Sequence, residues 1–202
     1  MIKNLIFDFG KVLVDYDFKL YVESFCPDPA TRDRFMDCIL TEDWMRRMDK
    51  QDVPFEETIS ILKDTYPDLS AEMDAFLEKF PDIVLGEVPG MRDLLTGLKK
   101  EGYRLYGLTN WCDRVHVTMS RYGIFDLLDG VVISSEVHEV KPFPQIYRIL
   151  FEKFSLDPAE CLFTDDKQEN IDGSQAVGMD AVLFKNARQY ESDLRRIISE
   201  KR

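Results

Sequence analysis

The fold follows from one N-terminal stretch, Leu5-Ile6-Phe7-Asp8-Phe9-Gly10-Lys11-Val12-Leu13-Val14-Asp15. It begins with a short apolar run of strand-forming residues, presents one carboxylate at Asp8, and continues after Gly10 into a second apolar run. An acidic side chain at the end of a buried strand is costly unless something neutralises it. In an open parallel sheet, ligands also bind at the ends of strands. We therefore expect Asp8 to pair with a cation or to act on a substrate, the alternative being a solvated carboxylate that caps a turn.

Composition restricts the class of protein. The chain has 202 residues, of which 45% are hydrophobic, enough for one domain with an insertion or two small domains. A net charge of −12 argues against nucleic-acid binding, which requires a basic face. The four cysteines have no metal-binding spacing, which favours reduced thiols. Since no apolar run approaches a membrane span and no signal-peptide pattern is present, we expect a soluble cytoplasmic protein with no membrane or nucleic-acid partner.

The hydrophobic pattern between residues 18 and 85 differs from that of the rest of the chain and indicates an insertion. Apolar residues recur there at helical spacing, as in Phe18, Tyr21, Val22 and Phe25, and strand runs are absent. We therefore predict an all-helical module at residues 17–85, with the remaining core formed by residues 1–16 and 86–202.

The segment after Pro89 alternates between strand and helix patterns. Helices are predicted at about 90–100, 111–121, 144–154, 169–177 and 187–199. Strands are predicted at about 2–7, 103–108, 131–134, 161–164 and 181–184. Such alternation requires right-handed crossovers and gives a parallel sheet with helices on both faces. The predicted fold class is therefore α/β, a Rossmann-like core with an inserted helical cap.

Polar residues collect after the carboxyl ends of four predicted strands. They are Asp8, the pair Thr109-Asn110, Lys141 and the pair Asp165-Asp166. Taken singly, each has an ordinary explanation: a helix cap, a solvated lysine or a turn. Because the carboxyl ends of parallel strands share one edge of the sheet, we expect these groups to converge.

The convergent groups suit phosphoryl chemistry. Three carboxylates with few other charges can hold Mg²⁺, which prefers oxygen ligands. The Thr109 hydroxyl and backbone N–H groups at a helix start suit a phosphate oxygen, and Lys141 adds positive charge. Asp8 is then available as a nucleophile that forms an aspartyl-phosphate.

The four motifs resemble those of the haloacid dehalogenase superfamily. They are Asp8-Phe9-Gly10, Leu108-Thr109-Asn110, Lys141-Pro142 and Phe163-Thr164-Asp165-Asp166. The helical insertion resembles the C1 cap of that superfamily, and the resemblance covers nearly the whole chain. It implies that Asp8 is the nucleophile, that Thr109, Asn110 and Lys141 bind phosphate, and that Thr109 and Lys141 also act in catalysis. It further implies a Mg²⁺ site made by Asp8, the Gly10 backbone carbonyl and Asp166, with Asp165 ligating directly or lying just behind.

Gly10 departs from the pattern of the superfamily. Typical phosphatases of this superfamily carry an aspartate two residues after the nucleophile, as general acid and then base. Here Gly10 offers only its backbone. The motif is similar to that of sugar-1-phosphate phosphatases that share this glycine. We expect water, the substrate or a residue near the hinge to supply the proton, with Asp15 as the best side-chain candidate.

The sequence as a whole predicts a Mg²⁺-dependent phosphomonoester hydrolase. Its expected partner is a small phosphorylated metabolite such as a sugar phosphate, and its expected state is a monomer or weak homodimer. A 2-haloacid dehalogenase is one alternative, although such enzymes lack the paired carboxylates of Asp165-Asp166. A carbon–phosphorus hydrolase would need a cap lysine such as Lys50 or Lys63. A non-catalytic binding module on the same scaffold is the third alternative.

Overall fold

Seven strands form two sheets in a computed structural model that describes residues 1–200. The strands are β1 Asn4–Phe7, β2 Val14–Tyr16, β3 Val84–Glu87, β4 Arg104–Thr109, β5 Gly130–Ile133, β6 Cys161–Asp165 and β7 Asp180–Leu183. The larger sheet is five-stranded and entirely parallel, with the order β5-β4-β1-β6-β7. Strand β1 is central and buried along its whole length, as its apolar run predicts.

Helices cover both faces of this sheet. They are α1 Phe18–Glu23, α2 Pro29–Ile39, α3 Glu42–Lys50, α4 Phe55–Thr65, α5 Ser70–Lys79, α6 Met91–Lys100, α7 Val115–Arg121, α8 Ser134–Val137, α9 Pro144–Phe154, α10 Gln168–Ala176 and α11 Ala187–Glu200. Short 3-10 helices lie at Pro67–Leu69, Phe80–Asp82, Gly123–Leu127 and Pro158–Glu160. Alternate residues of β1 enter different apolar clusters, Leu5 and Phe7 on one face and Ile6 on the other. The predicted Rossmann-like α/β architecture is therefore confirmed.

The helical segment, defined as residues 18–82, packs around its own aromatic cluster. Phe76 contacts the rings of Tyr21, Phe35, Phe55 and Phe80, all with tilted or edge-to-face geometry. These residues have the helical spacing that the sequence pattern indicated. The cluster gives the segment an apolar centre that is continuous with the buried cluster containing Leu5 and Phe7 of β1.

A two-stranded antiparallel ribbon joins the helical segment to the sheet. Strand β2 leads into the segment and β3 leads out of it, with Val14 opposite Glu87 and Asp15 opposite Gly86. The expectation that residues 18–85 contain no strand is wrong, because β3 begins at Val84. The hydrophobic pattern does not predict β3 because the strand is short and its partner is distant in sequence.

Two helices also differ from expectation. The predicted helix at 111–121 begins only at Val115, and Ser134–Val137 forms a helix that the pattern did not indicate. Of the helices in residues 1–200, none combines the length and the apolar character that crossing a membrane requires. All four cysteines are free thiols, as their spacing predicts.

Candidate active site

The three predicted carboxylates meet at the carboxyl edge of the sheet. Strands β1 and β6 are neighbours with Phe7 opposite Thr164, so Asp8 follows directly beside Asp165. The Asp8 backbone N–H donates to the Thr164 carbonyl oxygen at 2.9 Å, which fixes this alignment. One carboxylate oxygen from each of Asp8, Asp165 and Asp166 lies within 4.8 Å of the others. The sheet register thus brings together the residues that the sequence placed at separate strand ends.

Lys141 bridges two of these carboxylates. Its Nζ lies 2.8 Å from Oδ1 of Asp8 and 2.6 Å from Oδ2 of Asp165. The residue is only 4% exposed, which by itself would lower the pKa of the ammonium group. The neighbouring charges of Asp165 and Asp8 outweigh burial and raise the pKa of Lys141, so the group stays cationic. A buried lysine in this state is a fixed positive charge at the base of the site.

Asp165 lies behind the site rather than in it. Besides the contact with Lys141, its carboxylate accepts from the Lys167 backbone N–H at 2.9 Å and from the Asn170 amide at 3.0 Å. The residue is fully buried, whereas Asp166 lines the open cavity next to Asp8. Asp165 therefore holds Lys141 and the loop after β6 in place, while Asp166 lines the cavity.

Asp8 carries an unfavourable charge in the absence of a bound cation. Burial raises its pKa to about 7, and the negative charges of Asp165 and Asp166 add to the rise, while Lys141 opposes it. One lysine cannot balance three clustered carboxylates. A hard divalent cation with oxygen ligands fits this surplus of negative charge. The residues present are therefore suited to hold Mg²⁺, and Gly10 lines the same cavity.

Thr109 and Asn110 follow β4 at the same edge. The Thr109 hydroxyl is buried and has no hydrogen-bond partner within residues 1–200, although the residue lines the cavity. Asn110 behaves differently, because its amide donates to the Lys141 carbonyl at 3.0 Å and accepts from the Lys141 N–H at 2.8 Å. The Thr109 hydroxyl is free to bind a ligand, whereas the Asn110 side chain holds the backbone of Lys141 in place.

The Tyr16 ring occupies the space beside Gly10, two residues after Asp8. A Cβ on Gly10 would lie 2.6 Å from Cε1 of Tyr16, closer than atoms approach in folded proteins. The Tyr16 ring also contacts Lys11 and Trp111 and lines the cavity. Its role in closing this space has no signal in sequence spacing, because it depends on the fold of the turn.

Other sequence candidates lie away from the cavity. Asp15 is 47% exposed and its carboxylate pairs with Lys11 at 2.6 Å, so it does not face the site. Lys50 and Lys63 pair with surface aspartates and do not line the cavity. Within the described residues, no lysine of the helical segment lines the cavity, which removes the residue that a carbon–phosphorus hydrolase would need.

A cavity of about 640 Å³ separates the sheet edge from the helical segment. Six apolar side chains form most of its wall on the side of the helical segment, namely Phe18, Met36, Leu40, Met45, Phe80 and Ile83. Three charged residues complete that wall, namely Glu42, Arg46 and Asp49. Trp111 also lines the cavity, whereas Trp44 and Arg47 of α3 do not. Asp49 was not singled out from the sequence, where it is one acid among several on α3.

The fold and the site together define a hydrolase class. Residues 5–184 match the family model of the haloacid dehalogenase-like hydrolases, and the chain belongs to that family. It is 25% identical to a D-ribitol-5-phosphate phosphatase of Bacteroides thetaiotaomicron, over 98% of this chain and all of that protein. It is 34% identical to a glyceraldehyde 3-phosphate phosphatase of Pyrococcus furiosus, over 54% of this chain and 47% of that protein.

Solved structures share the fold. A haloacid dehalogenase family enzyme of Bacteroides thetaiotaomicron, crystallised with magnesium and inorganic phosphate, superimposes with a TM-score of 0.75. The two chains are 22% identical, and the match covers 93% of this chain and 96% of that one. At this identity the likeness concerns the fold, including the helical segment beside the sheet.

Proposed function

We propose that the protein is a Mg²⁺-dependent phosphomonoester hydrolase that acts on a small soluble phosphorylated metabolite. The observation that carries the proposal is the cluster at the sheet edge, in which Lys141 bridges Asp8 and Asp165 while Asp166 faces the cavity. A nucleophile, a fixed cation and surplus carboxylates for a metal are the groups that phosphoryl transfer requires.

Each residue of the cluster has a proposed role. An oxygen of Asp8 attacks phosphorus, the bond to the leaving oxygen breaks, and water then releases phosphate from Asp8. Lys141 and the Thr109 hydroxyl hold the phosphoryl oxygens, and Asn110 keeps Lys141 in position. Asp8, Asp166 and the Gly10 carbonyl would hold Mg²⁺, with Asp165 behind them. The bound cation would neutralise phosphate charge and lower the repulsion between phosphate and Asp8.

Relatives support the class of substrate. A D-ribitol-5-phosphate phosphatase aligns over nearly the whole chain, and the glyceraldehyde 3-phosphate phosphatase aligns over about half of it. Both names describe small phosphorylated carbohydrates. Sugar and polyol phosphates are therefore the first compounds to test.

We also propose a domain organisation, a cellular location and an oligomeric state for the enzyme. Residues 1–16 and 86–202 form the catalytic core and residues 17–85 form a C1-type cap, with the β2–β3 ribbon at the junction. The acidic net charge of −12 agrees with a cytoplasmic enzyme that binds neither nucleic acid nor membranes. We propose that it is a monomer or a weak homodimer.

A phosphate-release screen over phosphorylated metabolites, with and without Mg²⁺, tests this function. We expect release that requires Mg²⁺, disappears with a chelator and falls by at least about 10⁴-fold in the Asp8→Asn variant. Unfolding curves of the variant check that the loss is chemical. Chloride release from a 2-haloacid without Mg²⁺, and no phosphate release with it, would instead identify a dehalogenase. If the protein shows neither activity, the remaining alternative is a non-catalytic binding module.

A further inference from the structure

The proposed reaction lacks an obvious proton donor. The leaving oxygen of an alkyl phosphate must gain a proton as its bond to phosphorus breaks, because an alkoxide is a poor leaving group. Gly10 carries no side chain at the position after Asp8 where one would reach the leaving group, and the Tyr16 ring fills that space. Asp15 points to solvent and pairs with Lys11. A side-chain donor would therefore come from another part of the cavity wall.

Three acidic residues of the cavity wall lie outside the cluster at the strand ends. Glu42 and Glu169 are exposed to solvent, whereas Asp49 is part-buried. Within residues 1–200 the Asp49 carboxylate has neither a hydrogen-bond nor an ion-pair partner, although its helix carries several ion pairs. A shielded carboxyl group without a partner, facing a substrate cavity, is available for proton transfer.

The end of α3 that carries Asp49 is fastened to the sheet edge. The Ser134 hydroxyl donates to the Asp49 carbonyl at 2.6 Å, and the Asp113 N–H donates to the Gln51 side chain at 2.9 Å. A ring nitrogen of His138 lies 3.2 Å from the Lys50 carbonyl. These contacts join three consecutive residues of α3 and its cap to the loops that follow β4 and β5. They fix the end of α3 at the cavity that Asp49 and Asp8 both line.

We propose that Asp49 is the general acid and then the general base of the reaction, in place of the side chain that Gly10 lacks. This inference rests on the proposed phosphatase function and deepens it. The assignment makes a residue of the helical segment a direct participant in catalysis.

The electrostatic surroundings of Asp49 agree with this role. Burial raises its pKa to about 7 and the charge of Asp8 adds to the rise, while Lys167 and Lys141 oppose it. Tyr16 and Cys112 also face it, and both have pKa values raised chiefly by burial, so they are neutral near pH 7. A carboxyl group with a pKa near 7 can give up and regain a proton at neutral pH. The Tyr16 phenol holds its proton too tightly for the same work.

The protons balance over the two steps. Asp8 attacks phosphorus, the phosphorus–oxygen bond to the alcohol breaks, and protonated Asp49 transfers its proton to the departing oxygen. Asp49 is then a carboxylate and takes a proton from the water that attacks the phospho-Asp8 intermediate. Phosphate leaves, and both Asp8 and Asp49 return to their starting states.

The test compares leaving groups in the Asp49→Asn variant. We expect its rate of phosphoenzyme formation with glycerol 1-phosphate to fall by about 10²–10⁴-fold, because the alkoxide is left unprotonated. With 4-nitrophenyl phosphate the first step should fall less than about tenfold, since nitrophenolate leaves without a proton. Release of phosphate from Asp8 is slowed in both cases. The variant should therefore show a burst of nitrophenolate and a phosphorylated intact mass that wild type does not accumulate.

Matched variants separate this role from a structural one. Asp52→Asn removes an exposed carboxylate three residues away and should leave both substrates unaffected. Asp49→Glu keeps an acid and should recover part of the alkyl phosphate activity. Equal losses on both substrates without a burst, or no loss at all, would overturn the inference while leaving the phosphatase function intact. Failure of wild type to release phosphate from any substrate would instead overturn the function itself.

Discussion

The two walls of the cavity differ in chemistry and in how they are held. At the sheet edge, Lys141 contacts Asp8 and Asp165, and Asn110 binds the Lys141 backbone with both ends of its amide. The opposite wall is mostly apolar, and within residues 1–200 its Asp49 carboxylate has no partner. The sheet-edge wall holds fixed charges that suit a phosphoryl group. The mostly apolar wall suits leaving groups of different structures. The phosphoryl group and the leaving group of a phosphomonoester would therefore contact different parts of the chain.

Among the variants that compare the two walls, Lys141→Met should have the largest effect. We expect Lys141→Met to lower kcat/KM by about 10²–10⁴-fold for every substrate, because the lost charge acts on the phosphoryl group common to all of them. The variant should also lose about 3–5 kcal/mol of unfolding free energy, since Asp165 is left as an unpaired buried charge. Steady-state kinetics and urea unfolding measure the two effects.

Lys3→Met is the matched control for that variant. Lys3 lies just before the opposite end of β1 and pairs with Glu160 at 2.5 Å, with its side chain 60% exposed. Its removal should cost less than about 1 kcal/mol and leave kinetics unchanged. Similar losses for Lys3 and Lys141 would contradict the contrast between a buried site charge and a surface pair.

Removal of the Ser134 hydroxyl loosens the link between the two walls. Ser134→Ala deletes the bond to the Asp49 carbonyl and the bond that the hydroxyl accepts from the Trp111 N–H, and the end of α3 should then lose its alignment. We expect about a tenfold fall in the rate of phosphoenzyme formation with glycerol 1-phosphate and a smaller change in that rate with 4-nitrophenyl phosphate. Ser120→Ala removes a hydroxyl that bonds only within its own helix and should change neither rate. An equal effect of Ser134→Ala on both substrates would mean that the contact positions something other than Asp49.

The sheet-edge wall could be predicted from sequence, and the opposite wall could not. Asp8, Thr109 and the pair Asp165-Asp166 lie at the carboxyl ends of strands that apolar runs reveal, and Lys141 comes after β5 and α8. Parallel topology brings these ends to one edge of the sheet. Their functional grouping is therefore encoded in local patterns. The two-stranded ribbon was missed because β3 is short and pairs with a strand about 70 residues earlier in the chain.

Asp49 illustrates why the second wall is hidden from sequence. The cavity-lining positions on α3 are Glu42, Met45, Arg46 and Asp49, which recur at helical spacing and share one face. That spacing indicates a face but not what the face meets. The docking contacts from Ser134 and Asp113 decide this, and they join residues far apart in the chain. The role of Tyr16 is not predictable from sequence for a similar reason, because only the folded turn brings its ring against Gly10.

A polar side chain in the apolar wall should affect binding rather than chemistry. Met45→Gln keeps the length of the side chain but makes it polar, and we expect KM for 4-nitrophenyl phosphate to rise by about tenfold with kcat nearly unchanged. Leu20→Gln, at a residue 53% exposed on the same helical segment, serves as the control and should leave KM unaltered. A fall in kcat at constant KM would show that Met45 affects the chemical step. It would contradict the proposal that the apolar wall only binds the leaving group.

The smallest expected effect concerns stability and pH at Asp49. Its pKa is about 7 in the folded protein and 3.8 for the ordinary group, so between these pH values the folded chain holds a proton that the unfolded chain has lost. The contribution of Asp49 to the free energy of unfolding therefore falls as pH rises from 3.8 to about 7. Above pH 7 this loss of stability is complete. Because asparagine does not ionise, Asp49→Asn should gain about 1–2 kcal/mol of unfolding free energy relative to wild type between pH 4 and pH 8. Urea unfolding of both proteins across this range measures the difference, with Asp52→Asn as the exposed control. A difference that stays flat with pH would mean that Asp49 is ionised throughout and has no proton to give.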